Sequence, residues 1–121
     1  MVLTLLAEAL ALAGKIEEGL AVLEDALAQA AFSGEKGWDA EIHRLRGELT
    51  GRLPHPDPAK AEASFRTALA IAREQGTRGY ELRAATSLAR LWGEQGRRIE
   101  ARDLLAPVYG SVYRGLRHRR S

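Results

Sequence analysis

The segment GKIEEGLAVLEDALAQA, residues 14–30, contains a pattern that returns twice farther along the chain. In each copy a small residue is followed four positions later by a large apolar residue, and three positions after that by a small or short apolar residue. The copies are Gly19-x3-Leu23-x2-Ala26, Ala61-x3-Phe65-x2-Ala68 and Ala101-x3-Leu105-x2-Val108. Spacings of three and four place these residues on one face of a helix, so each copy predicts a packed α-helix.

A second repeated pattern precedes each copy and predicts the partner helix. It is Leu6-Ala7-x2-Leu10, then Leu45-Arg46-x2-Leu49, then Leu88-Ala89-x2-Trp92. Small residues let two antiparallel helix axes approach, and large residues fill the space beside them. The residues to which we assign repeat packing are Leu6, Ala7, Leu10, Gly19, Leu23, Ala26, Leu45, Leu49, Ala61, Phe65, Ala68, Leu88, Ala89, Trp92, Ala101 and Leu105.

Glycine and proline mark the ends of six predicted helices, at about 3–13, 16–32, 38–53, 58–75, 80–95 and 98–113. The segment LPHPDP, residues 53–58, cannot continue a helix. Asp57 as the N-cap and Pro58 at the first helical position are instead a favourable helix start. Glycine-centred turns join the other helix pairs.

The composition favours an all-α domain. The chain has 121 residues, which allows one domain, and it contains 21 Ala and 18 Leu against 8 Val plus Ile. It contains no Cys, so disulfides and thiolate metal sites are excluded, and cytoplasm is the expected location. No apolar run approaches the roughly 18 residues of a membrane helix, so no membrane contact is predicted.

Charge is distributed unevenly along the chain. Residues 1–41 carry a net charge of −6, residues 42–100 carry +4 and residues 101–121 carry +4. Residues 114–121 are an arginine-rich end that we expect to be a flexible tail. Such an arm can neutralise phosphates, so nucleic-acid contact remains an alternative, although the body through Glu100 has a net charge of −2.

No catalytic constellation is found in the sequence. The three histidines His43, His55 and His118 are far apart and form no grouping that would place two metal ligands on one helix face. Neighbouring carboxylates such as Glu17 and Glu18 point in different directions on a helix. We therefore predict no enzyme activity, no cofactor and no metal.

The repeats resemble the tetratricopeptide family, whose pattern places W-x2-L-G-x2-Y before A-x3-F. The resemblance covers residues 3–108, with a period of 40–42 rather than about 34 residues and with Arg46 where a small residue is usual. Residues 81–110 look especially like the carboxyl-terminal arrays of large bacterial signalling ATPases linked to a cyclase or a DNA-binding domain. The resemblance implies a right-handed superhelical solenoid of three antiparallel helix pairs, with repeats at about 1–34, 38–76 and 79–113 in one domain, 1–113.

The resemblance also implies a protein-interaction module in a bacterial signalling or regulatory system. The concave face of such an array is lined by the first helix of each pair and binds a peptide or protein. The outward residues there, our groove candidates, are Thr4, Glu8, His43, Gly47, Arg83, Thr86 and Arg90. Arg83 and Arg90 lie seven apart on one helix face and can bind a carboxylate, or they are solvated, with Glu94 as a local partner of Arg90. Self-association through uncapped repeat ends remains an alternative.

Overall fold

A computed structural model describes residues 2–34 and 37–120, with only the backbone described for residues 111–120. Within these ranges the chain forms six helices and no strand, so the predicted all-α class is confirmed. The helices are α1 (Val2–Leu12), α2 (Ile16–Ser33), α3 (Asp39–Thr50), α4 (Pro58–Gln75), α5 (Arg78–Glu94) and α6 (Arg98–Arg120).

Helix α4 begins and ends for the reasons that the sequence indicates. The Asp57 carboxylate accepts a hydrogen bond from the backbone N–H of Lys60 at 3.1 Å, and Pro58 is the first helical residue. Gly76 follows the last turn with a positive φ, in a left-handed conformation that a side chain would strain. The predicted N-cap and the predicted glycine stop are both confirmed.

Two helix ends differ from the prediction. Helix α3 ends at Thr50 rather than near 53, because Gly51 follows it and Pro54 disfavours a helical conformation at the residue before it. Helix α6 continues to Arg120 instead of ending near 113, because arginine and leucine are good helix formers. Residues 114–120, expected to be a flexible tail, are therefore helical in their backbone. Their side chains, on which the basic-arm alternative depends, lie outside the described residues.

Neighbouring helix pairs stack on one another. Among the described residues each helix contacts the next one along the chain, and α3 also contacts both α1 and α5. The even-numbered helices α2, α4 and α6 do not contact one another there. The odd-numbered helices therefore form a row along one side of the protein, and the even-numbered helices stand apart on the other side.

The core consists of two clusters that do not coincide with the helix pairs. The first joins α1, α2 and α3 through Ala7, Leu23, Ala26, Ile42, Leu45 and Leu49. The second joins α4, α5 and α6 through Ala61, Phe65, Ala68, Leu69, Ala84, Ala85, Leu88, Trp92 and Val108. Ala101 and Leu105 are half-buried against the second cluster. The middle pair thus contributes one helix to each cluster.

Glycines supply the close approach between helices in the first two pairs. A Cβ atom added at Gly19 would lie 3.0 Å from the Ala7 carbonyl oxygen, so α1 and α2 touch through backbone. A Cβ atom added at Gly47 would lie 2.5 Å from Cε1 of Phe65. The small residue of the middle pair is therefore Gly47 rather than the residue at position 46, and this frees Arg46 to be large.

Leu6 is not the packing residue that the repeat pattern predicts, because 45% of it is exposed. Its equivalent Leu45 is only 5% exposed and packs against residues of the first pair. In the described part of the chain no helix pair covers that side of α1, and this explains the difference. Leu10 is half-buried, and Ala89 is buried.

Candidate functional site on the odd-numbered helices

A groove crosses the carboxyl-terminal halves of α1, α3 and α5, and we name it the odd-helix groove. It consists of two cavities of about 280 Å³ and about 250 Å³ that share Glu48, Arg52 and Arg90. The remaining lining residues are Glu8, Ala11, Leu12, Arg44, Leu45 and Leu49 in the first cavity and Gly47, Gly51, Ala61, Phe65, Ser87, Leu91 and Glu94 in the second. Its walls therefore combine charged groups with apolar ones.

Two ion pairs join α3 to α5 along this side of the protein. Glu41 Oε1 lies 2.9 Å from Arg83 Nη1, and Glu48 Oε1 lies 3.5 Å from Arg90 Nη1. The Glu41 side chain is 7% exposed, whereas the Arg83 side chain is 55% exposed. A guanidinium has five N–H donors, and each of these pairs engages one nitrogen. The arginines are thus held by acids at the helix interface while much of each side chain meets solvent.

Arg44 lies between the same two acids on α3. It donates two hydrogen bonds to Glu41, at 2.7 and 3.0 Å, and its Nη1 lies 3.8 Å from Glu48. Burial by itself would lower the pKa of Arg44, but the hydrogen bonds and charge of Glu41, with the charges of Glu48 and Glu8, raise that pKa on balance. The charge of Glu8 links α1 to this cluster.

The sequence-predicted candidates do not all share this face. Glu8 and Arg90 line the odd-helix groove. Arg83 lies on the same side of the protein, where it pairs with Glu41. Gly47 borders the second cavity, but its face is filled by Phe65. Arg90 is paired with Glu48 of the neighbouring helix rather than with Glu94 on its own helix.

The threonine candidates are turned away from solvent. Thr4 is 7% exposed, on the side of α1 that also buries Ala7. Thr86 is half-buried, and its hydroxyl donates to the Leu82 carbonyl oxygen at 2.7 Å. Thr4 therefore offers no exposed face to a partner, and the Thr86 hydroxyl is engaged within its own helix.

The residues that sequence reasoning missed are Glu41, Arg44, Glu48 and Arg52. A signal for two of them is present, because Glu41 and Glu48 have the same spacing along the chain as Arg83 and Arg90. Each acid precedes its arginine by 42 residues, one fewer than the 43 that separate Leu45 from its equivalent Leu88. Nearly equivalent positions on stacked helices lie close together, so this spacing indicates the pairing.

His43 lies on a different side of α3, where Arg46 borders a cavity of about 640 Å³ between α2 and α4. Arg46 donates to the Ser64 hydroxyl at 3.2 Å, to Glu24 at 3.3 Å and to His43 Nδ1 at 3.0 Å. Burial and then the charge of Arg46 lower the pKa of His43, against the opposing charges of Asp39 and Glu24. His43 is therefore an uncharged acceptor for Arg46 at neutral pH and is not part of the odd-helix groove.

Trp92 anchors a polar cluster at the junction of α4, α5 and α6. Its indole N–H donates to Glu62 at 3.0 Å. The guanidinium carbons of Arg97 and Arg66 lie 4.7 Å and 5.3 Å from the ring centroid, within reach of cation–π attraction. This indole hydrogen bond, with Arg66 and Arg97, lowers the pKa of Glu62 against the opposing effect of burial. Trp92 is only 7% exposed, which suits packing rather than base stacking.

Two further findings concern the described residues only. They contain no group of three or more His, Asp or Glu side chains placed to hold a metal ion. Within the same ranges, none of the helices is both long enough and apolar enough to cross a membrane.

The fold and the groove define an all-helical protein of stacked helix pairs with a charged face on its odd-numbered helices. No family model matches the sequence, and no solved structure is significantly similar to it. Over 75 residues, which are 62% of the chain, it is 39% identical to an uncharacterized protein of Rhizobium meliloti (strain 1021). The aligned residues are 7% of that protein's length, so the chain is similar to a small part of a much longer protein.

Proposed function

We propose that the chain is a tetratricopeptide-like array of three helix pairs in a right-handed superhelix. It acts without catalysis, by binding a peptide or protein segment in the odd-helix groove. The observation that carries this proposal is the pair of ion bridges from Glu41 to Arg83 and from Glu48 to Arg90. Because Glu41 is buried and Glu48 is half-buried, while much of each arginine meets solvent, these donors are oriented before a partner arrives, which lowers the entropic cost of binding.

The groove walls suggest how a partner segment would be held. Arg52 and Arg90 supply N–H donors to backbone carbonyls or carboxylates. Leu12, which is 85% exposed, and the half-buried Leu91 supply apolar contact at the two cavities. A bound segment would therefore place an apolar side chain beside acceptor groups.

We place this module in the cytoplasm of a bacterium, within a signalling or regulatory system. The resemblance of residues 81–110 to regulator arrays supports this placement. The similarity to part of a long bacterial protein is consistent with it, because repeat modules occur as segments of larger chains.

The test uses peptides selected from a random library for binding to the intact chain, with affinities then measured by fluorescence anisotropy. In the double variant Arg83→Ala/Arg90→Ala we expect a loss of affinity of about tenfold or more, because central arginines dominate such interfaces. The matched control is Arg73→Ala/Arg78→Ala, which removes two exposed arginines outside the groove and should leave the affinity unchanged. Equal affinities for the two double variants would exclude the groove as the binding site.

A further inference from the structure

Helix α1 turns an apolar face away from the rest of the protein. Val2 is 77% exposed, Leu5 66% and Leu6 45%, and Ala9 on the same face is also exposed. These residues follow helical spacing, and none of them is charged. We name this face the first edge. An apolar stripe of this kind on a surface marks a place where another surface packs.

The repeat pattern indicates what packs there. Leu6 is equivalent to Leu45, and Leu45 is buried against Ala7, Leu23 and Ala26 of the preceding helix pair. The first edge therefore has the composition of a face that packs on the end of another helix pair. A partner helix that resembles the end of such a pair fits it best.

The opposite end of the protein offers such a helix in α6. Ile99 is 69% exposed and Tyr109 is 62% exposed, and Arg102 and Ala106 are exposed between them at spacings of three and four. We name this face the last edge. Glu100, which pairs with Arg97 beside Glu62, lies on the side of α6 toward α4, so the last edge faces away from α4.

The charges beside the two edges are complementary. Glu24 lies on the side of α2 that faces α3, where it pairs with Arg46. Glu18 and Asp25 are exposed on the opposite side of α2, which lies toward the first edge. The last edge carries Arg102, and Arg98 and Asp103 are exposed near it. A first edge meeting another first edge would bring acids together, whereas a first edge meeting a last edge brings acid to base.

We propose that a second copy of this chain packs head to tail, with its last edge against the first edge. The contact buries Leu5 and Leu6 against Ile99 and Tyr109, and Glu18 and Asp25 face Arg102. Such a contact is heterologous, so each added copy leaves one free edge of each kind and the assembly grows in one direction. This inference is independent of the odd-helix groove, which stays open in the assembly.

The first measurement is the molar mass by light scattering from about 1 to about 100 µM, the range in which modest interfaces associate. We expect the mass of the unaltered chain to rise beyond a dimer with concentration, and less steeply at high salt. Leu5→Glu and Ile99→Glu should each abolish assembly, because each places a charge inside an apolar contact. Ala70→Glu, an exposed position on α4 in the middle pair, is the matched control and should assemble as the unaltered chain does.

Mixing the two variants tests the direction of the contact. The Leu5→Glu chain keeps an intact last edge and the Ile99→Glu chain keeps an intact first edge, so together they should form a one-to-one heterodimer. Growth should stop there because the two remaining edges both carry an added negative charge. Both substituted positions are about two-thirds exposed, and circular dichroism of each variant should show unchanged helix content.

Three results would overturn the proposal. A monomer throughout the concentration range would mean that the first edge is not covered by a second copy. Self-association that survives in Ile99→Glu and is lost in Leu5→Glu would indicate a two-fold contact between first edges. Monomers in the mixture of variants, after assembly of the unaltered chain, would exclude the head-to-tail contact.

Discussion

Among single residues, Gly47 and Gly93 are both helical glycines with opposite surroundings. A Cβ atom at Gly47 would meet the Phe65 ring at 2.5 Å, whereas a Cβ atom at Gly93 would meet nothing within 4 Å. Alanine gains up to about 1 kcal/mol in helix propensity at either position, and overpacking costs about 1–3 kcal/mol. Gly47→Ala should therefore lower the free energy of unfolding in urea, and Gly93→Ala should raise it. Stabilisation by Gly47→Ala would contradict the close contact of α3 and α4.

The carboxylate of Glu62 makes stability depend on pH. Its pKa is lowered in the folded chain by the Trp92 indole N–H, Arg66 and Arg97. The unfolded chain therefore binds the proton more readily, and the stabilisation is present above about pH 4.3, the value of a free glutamate, and is lost as the pH falls through the lowered pKa. Glu62→Gln removes this contribution and should make the acid side of the stability profile shallower.

The effect of Glu62 on stability is measured by the fluorescence emission of Trp92 in chains that also carry Trp38→Phe. Urea unfolding is followed at several pH values between about 3 and 7, across the range in which glutamate titrates. Glu17→Gln, at an exposed position of α2, is the control and should keep the slope of the unaltered chain. Identical slopes for Glu62→Gln and the unaltered chain would contradict the role of Glu62.

Between helices, the contact of α3 with α5 depends on Glu41 more than on Arg83. Glu41 receives two hydrogen bonds from Arg44 and also pairs with Arg83. Glu41→Gln removes the charged carboxylate that accepts both hydrogen bonds from Arg44, at a buried site. The substitution should therefore lower the free energy of unfolding by about 1–3 kcal/mol. Arg83→Ala removes a side chain that is half in solvent and should cost at most about 1 kcal/mol. Equal costs in urea unfolding would contradict this division of roles.

In the molecule as a whole, the two core clusters divide the protein between α3 and α4. Leu23 and Leu88 are both essentially fully buried, one in each cluster, so replacing either by alanine should cost about 2–5 kcal/mol. At the boundary between the clusters, Arg46 donates to Ser64 and the Phe65 ring packs against the backbone of Gly47, so few aliphatic side chains join the two clusters there. We therefore expect each cluster to respond to its own substitution.

Hydrogen exchange followed by mass spectrometry measures this response. Leu23→Ala should increase exchange in α1, α2 and α3 more than in α4 and α5, and Leu88→Ala should do the reverse. The two variants serve as controls for each other because they remove the same side chain from equally buried sites. A uniform increase across all helices in both variants would indicate one cooperative unit instead of two.

The helical class, the number of helices in the described ranges and most of their ends follow from the sequence alone, including the capped start of α4 at Asp57. These features depend on neighbours three or four residues away, and such spacings are visible in the chain. Burial of Leu23, Phe65 and Leu88 follows from the same periodicity. The repeat pattern does not predict the continuation of α6 to Arg120, because its loss after Gly110 says nothing about the helix-forming tendency of the residues that follow.

Which helix faces meet depends on the packing of the helices against one another. Helical spacing relates residues on one helix but leaves the rotation of that helix against its neighbours undetermined. The pattern therefore predicts Thr4 in the groove and Leu6 in the core, whereas the structure has Thr4 buried and Leu6 45% exposed. For the same reason, helical spacing alone does not show the roles of Glu41 and Glu48, because these acids pair with arginines on another helix, farther along the chain. Charge pairs across helices depend on distances of a few ångströms, and those distances exist only once the helices are packed.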